Sequence, residues 1–235
     1  MLVARQAPVV VRHNGPQPGE LPGHHPLVLL AQNRQGYENL MALNSALYLD
    51  KGTARPEITL DELTGHAEGL ICLTGGPNGP LGILVRDGKA ATAEALLDRL
   101  AAAFPSRLYV ELQRHPRDDA TPMEAERLTE AWFLRAAYDK ALPLVATNDV
   151  YFPKAEMYEA HDALICIAEG AYVDQQAPRR RLTPQHYFKS PAEMAALFAD
   201  LPEALENTVE IAKRCNWSLE LGEVFLPHFA APDSQ

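Results

Sequence analysis

Two runs, LYVELQRH at residues 108–115 and LPLVATNDVY at residues 142–151, decide the fold. Both are short and rich in Leu and Val, and a helix-like segment at about residues 123–141 separates them. They read as two buried strands joined by a crossover helix. Each run turns polar toward its carboxyl end, the first through Glu111 and His115, the second through Thr147 and Asp149. Parallel α/β folds place their chemistry along that edge. The sequence therefore predicts an α/β protein with a candidate site at the ends of these two strands.

Upstream the same rhythm continues. Residues 26–31 form an apolar run, and residues 36–49 follow it with Tyr37, Leu40, Met41, Leu47 and Tyr48 spaced along one helical face. Thr59 and Glu62 have the spacing of a capping box for a short helix. Residues 69–74 are another apolar run, and residues 89–104 are an Ala- and Leu-rich helix. The alternation of strand and helix predicts a parallel sheet, as either a barrel or a doubly wound fold. Downstream, residues 155–169 read as a helix stopped by Gly170, and residues 171–189 as a charged loop. Ser190, Pro191 and Glu193 open a helix that runs through Phe198, and a last helix covers residues 203–215. Residues 1–24 are expected to be an irregular segment. Val9, Val10 and Val11 suit a strand, but Pro16, Pro18 and Pro22 alternate with glycines after them. The α/β body is placed at residues 25–217 and a linker at residues 218–235.

At 235 residues the chain accommodates one large α/β domain or two small ones, and a hydrophobic content of 47% supports a sizeable core. A formal net charge of −10 argues against gripping phosphate backbones over the general surface. The one basic run, Arg179 to Arg181, reads as a solvated turn. Cys72, Cys166 and Cys215 are odd in number, far apart and in apolar surroundings, so buried reduced thiols in a cytoplasmic protein are expected. No run approaches the roughly 18 apolar residues of a membrane span, and the amino terminus lacks the pattern of a signal peptide.

The glycine-rich loop at residues 75–82 follows a strand but lacks the Gly-Lys-Ser/Thr ending of a phosphate loop. Two prolines remove backbone donors there, so it reads as a structural turn. Glu111, His115 and Asp149 are the sharper set. Carboxylates and an imidazole at neighbouring strand ends can hold a divalent metal that activates water. Set against this are plain structural roles: Glu111 bonding a backbone donor, and Asp149 capping a turn before Pro153. His161 and Asp162 read as a buried structural contact. No nucleophile elbow is present, and no cysteine is paired locally with a histidine.

Residues 25–40, 68–76, 144–150, 159–170 and 201–215, in this order and spacing, resemble the amino-terminal PHP (polymerase and histidinol phosphatase) domain of bacterial replicative DNA polymerase III alpha subunits. The likeness extends over about residues 25–229. It implies a seven-stranded (βα) barrel of PHP type, incomplete in this chain, with extra carboxyl-terminal helices and with residues 25–217 as a partial PHP domain. It also implies metal binding at the carboxyl ends of the strands, by zinc, manganese or magnesium. Two expected metal motifs are altered. The chain contains no His-x-His, which would be expected upstream of Met1, and the family's Asp-x-His reads Asp149-Val150-Tyr151. His115 matches a position where metal-binding members keep histidine.

The resemblance therefore implies a fragment with a vestigial metal site at Glu111, His115 and Asp149 and with no polymerase centre. Its expected role is a scaffold and docking surface in DNA replication. The expected partners are the proofreading exonuclease subunit, the rest of the polymerase III holoenzyme, and DNA through the polymerase region; no membrane is expected. An autonomous metal-dependent phosphoesterase or exonuclease is the alternative, and a truncated product without activity is a third reading.

Overall fold

A computed structural model describes residues 9–12, 25–49, 58–117, 119–176, 179–219, 222 and 226. The strands are β1 (Val9–Arg12), β2 (His25–Ala31), β3 (Ile58–Thr59), β4 (Leu70–Leu73), β5 (Leu108–Gln113) and β6 (Leu144–Thr147). Between and after them come α1 (Arg34–Leu49), α2 (Leu60–Gly65), α3 (Pro80–Arg86), α4 (Ala90–Ala103), α5 (Glu124–Asp139), α6 (Tyr158–Glu169), α7 (Pro191–Leu197) and α8 (Pro202–Arg214). The expected α/β class holds. The strands lie side by side in the order β3-β1-β2-β4-β5-β6, an open sheet with β3 and β6 at its edges.

The expected all-parallel layout holds only for part of the sheet. β4, β5 and β6 are mutually parallel, as the crossover reading requires, but β2 is antiparallel to both β1 and β4. Direction changes between β2 and β3, since β3 runs parallel to β1. A short apolar run specifies a buried strand without specifying its direction. Part of the expected irregular segment is also a strand, because β1 inserts between β3 and β2. Residues 1–8 and 13–24 lie outside the described residues, as does most of the expected linker. The glycine-rich loop is a turn only at its start. It passes through a short 3-10 helix, Gly76–Asn78, into α3, which Pro80 opens at the first helical position.

Strand alternation sorts the core. Leu70 and Cys72 of β4, Leu108, Val110 and Leu112 of β5, and Leu144 and Ala146 of β6 face the main cluster. There they meet Leu97 and Leu100 of α4 and Phe133 and Ala137 of α5. Ile71, Leu73, Tyr109 and Val145 point the other way and pack with Ile211 of α8. Both faces of the central strands are thus covered, which is why they read as continuous apolar runs. Both capping boxes form. Thr59 Oγ1 accepts from Glu62 N–H at 3.2 Å, and Ser190 Oγ accepts from Glu193 N–H at 3.3 Å, each glutamate answering the cap residue's own N–H. Among the described residues no helix is long and apolar enough to cross a membrane.

Candidate functional site

The pleat of β5 places Glu111 and Gln113 on the same face as Tyr109, just beyond the smaller apolar cluster. The β5–β6 register sets Gln113 opposite Thr147. Glu111 is 2% exposed, and an ionised carboxylate there must be hydrogen-bonded to be tolerated. Its Oε2 accepts from the Gly75 backbone N–H at 2.9 Å. Its Oε1 accepts from Thr147 Oγ1 at 2.5 Å and Gln113 Nε2 at 3.0 Å. Burial raises the Glu111 pKa, and these bonds oppose the rise. The backbone-donor role expected as the plain reading of Glu111 is thus present, supplemented by two side chains.

His115, 1% exposed, is held from both ends. Its Nδ1 lies 2.8 Å from Glu126 Oε1, and the same carboxylate accepts from the His115 backbone N–H at 2.9 Å. Its Nε2 lies 3.0 Å from Asn148 Oδ1. The Asn148 amide is oriented by its Nδ2, which donates to Tyr187 O at 2.6 Å, and Lys189 Nζ also donates to its Oδ1. His186 stacks on His115 with ring centroids 3.9 Å apart. Burial and the neighbouring His115 lower the His186 pKa to about 3.

Asp149 and Tyr151 stand opposite. Burial raises both pKa values. Arg180 Nη2 donates to Tyr151 Oη at 3.2 Å, and its guanidinium lies 5.6 Å from the ring centre. A cavity of about 400 Å³ opens between these groups, lined by Gln113, His115, Glu126, Asp149, Tyr151, Arg180, Arg181 and His186.

His115 and Asp149 therefore share a cavity, and Glu111 lies outside its lining, tied to it through Gln113. As placed, the three do not fit a divalent metal. Both Glu111 oxygens and both His115 nitrogens are committed to protein partners. Among the described residues, no three His, Cys, Asp or Glu side chains are grouped to hold a metal ion. Glu111 and His115 are buried and held in place by these partners. The cysteines are free, Cys72 and Cys166 are buried, and burial raises the Cys72 pKa.

Two expectations need correction. Asp162 does not rest on His161 but pairs bidentately with Arg179, at 2.6 and 2.7 Å. The Arg179 side chain is 4% exposed, so this arginine is no part of a solvated turn. It pins the expected charged loop to α6. Asn148 lies in the run that carries Asp149, whereas no local sequence pattern marks Glu126, His186 or Tyr187 as part of this cluster.

An α/β sheet with a polar cluster at the carboxyl ends of parallel strands defines a class of fold with its site at the strand rim. Residues 7–115 match the PHP domain family. Relatives extend the match. The chain is 47% identical over 212 residues to "DNA polymerase III subunit alpha" of Caulobacter vibrioides, covering 89% of this chain and 18% of that protein. It is 47% identical over 209 residues to the Pseudomonas aeruginosa protein of the same name, covering 88% of this chain and 17% of that one. For the Escherichia coli K12 protein the figures are 42% over 212 residues, 88% and 17%. Residues 7–115 thus carry a PHP domain, in a chain that is similar over 88–89% of its length to DNA polymerase III alpha subunits. The chain spans less than a fifth of the length of these relatives.

Proposed function

We propose that this chain is the PHP region of a DNA polymerase III alpha subunit, working in DNA replication as a scaffold and docking surface. The observation that carries the reading is identity of 42–47% to proteins of that name across 88–89% of the chain. In this reading the open sheet is part of a PHP-type barrel, and the polymerase centre belongs to regions other than residues 1–235. The partners are the proofreading exonuclease subunit and the rest of the polymerase III assembly, in the cytoplasm. DNA is held by the polymerase region.

The site geometry fits a structural role. A catalytic metal needs open coordination positions and free donors. Here Glu126 and Asn148 take the two nitrogens of His115, and Gly75, Gln113 and Thr147 take the oxygens of Glu111. The vestigial metal site is thus read as one that its own neighbours have filled.

Two measurements on the purified chain test this function. Titration with the proofreading exonuclease subunit should give saturable binding, and a primed template with magnesium and deoxynucleotides should show no incorporation above a protein-free control. Incorporation by the chain itself, with contaminating polymerase excluded, or absence of any exonuclease binding, would contradict the proposal.

A further inference from the structure

The outward face of α6 is apolar along its length. Leu164 is 60% exposed and Ile167 is 78% exposed. With exposed Ala160 they follow the i, i+4, i+7 spacing of one helical stripe. The inward face is apolar too, through Ile165 and Cys166. A helix that lies on a surface ordinarily turns charged residues outward, and one apolar on both sides is normally covered on both sides. Just past its end Tyr172 is 75% exposed and Val173 is 53% exposed, so the apolar surface continues beyond the helix. The stripe is held firmly, because Asp162 on the opposite side of α6 is locked to Arg179.

Charge decides what covers it. No Lys or Arg occurs between Lys154 and Arg179. Exposed Glu159, Glu169 and Asp174 flank the stripe, while past the helix end Arg181 Nη2 donates to the Val173 carbonyl oxygen at 3.3 Å. A second copy of the chain would bring like charges together along the same helix, and each copy carries a net charge of −10. Like charges across an interface disfavour association, whereas opposite ones steer it.

We propose that the outer face of α6 is a docking surface for an amphipathic helix of a partner protein, one whose apolar stripe is flanked by Lys and Arg. Leu164 and Ile167 supply the apolar contact, and Glu159 and Glu169 select the charge. The surface lies apart from the cavity at the strand ends, whose lining includes no residue of α6.

The test uses three synthetic helical peptides of about five turns. They share one Leu and Ala stripe and differ in flanking residues: Lys, Gln or Glu. Fluorescence anisotropy follows their binding to the 235-residue chain at low ionic strength. The Lys-flanked peptide should bind at least about tenfold more tightly than the Glu-flanked one, with the difference shrinking as salt is added. The double substitution Leu164→Gln with Ile167→Gln should weaken that binding about tenfold. Both side chains are largely exposed, so the variant should fold, and Tyr48→Gln on the exposed side of α1 should leave binding unchanged. Equal binding of the Gln-flanked peptide would assign the face to an uncharged apolar occupant, such as another segment of a longer chain, and overturn the proposal. So would no binding, binding unaffected by the double variant, or self-association of the chain that the double variant abolishes.

Discussion

At the scale of single residues, the buried polar cluster around His115 is where the energetic stakes are highest. Glu126 accepts from the His115 backbone N–H and faces its Nδ1, in a pair whose side chains are only 2% and 4% exposed. Removing one member of such a pair leaves the other buried without its partner. Glu126→Ala should therefore cost about 3–5 kcal/mol, read as a fall in the urea midpoint with an unchanged slope. His186 gives a pH signature. Its Nδ1 lies 3.2 Å from both the amide nitrogen and the carbonyl oxygen of Thr183, and burial with the neighbouring His115 outweighs the help that the carbonyl gives to the protonated ring. The folded ring titrates at about 3, against about 6.5 when unfolded. Between those values the unfolded chain binds a proton that the folded chain refuses. The contribution is fully present above about pH 6.5 and is lost as pH falls toward 3. Between pH 7 and 4.5 this ring should remove roughly 2–3 kcal/mol of stability, and His186→Phe should flatten that slope in denaturant titrations. The sequence shows His115 and Asp149 because each ends a recognisable strand. It hides their partners because the contacts reach 11 residues to Glu126 and 33 to Asn148, and because His186 sits in a loop without periodicity.

At the scale of elements, local signals are legible and directions are not. The capping boxes at Thr59 and Ser190 form because both halves of each lie within four residues. The buried strands announce themselves as apolar runs. Nothing in a run such as residues 26–31 states that β2 will lie antiparallel to β4, and the prolines that mark a turn at residues 75–82 also open α3. A close approach between elements fixes α1 against the entry to β4. Asn33 Oδ1 accepts from Gly36 N–H at 2.9 Å at the start of the helix. A Cβ added at Gly36 would fall 1.9 Å from the Gly69 carbonyl oxygen, which is backbone and cannot swing away. Gly69 itself needs its left-handed φ of 69° to make the turn. Gly36→Ala should therefore push α1 off the sheet and lower stability by about 1–3 kcal/mol, measurable by thermal or urea unfolding.

At the scale of the whole molecule, the sequence similarity and the site geometry both support the proposed role. The chain matches less than a fifth of the length of the DNA polymerase III alpha subunits, and in its strand-end cluster Glu111 and His115 are bonded to their own neighbours. The resemblance in sequence carries the family; only the placed side chains show that the donors are already taken. Calorimetric titration of the purified chain with zinc and with manganese near neutral pH bears most directly on this. The expected result is binding no tighter than the high-micromolar range, a free energy of only about 5–6 kcal/mol, and little changed by His115→Ala. Tight stoichiometric zinc binding that His115→Ala abolishes would contradict it and would reveal a working metal centre at the ends of β5 and β6.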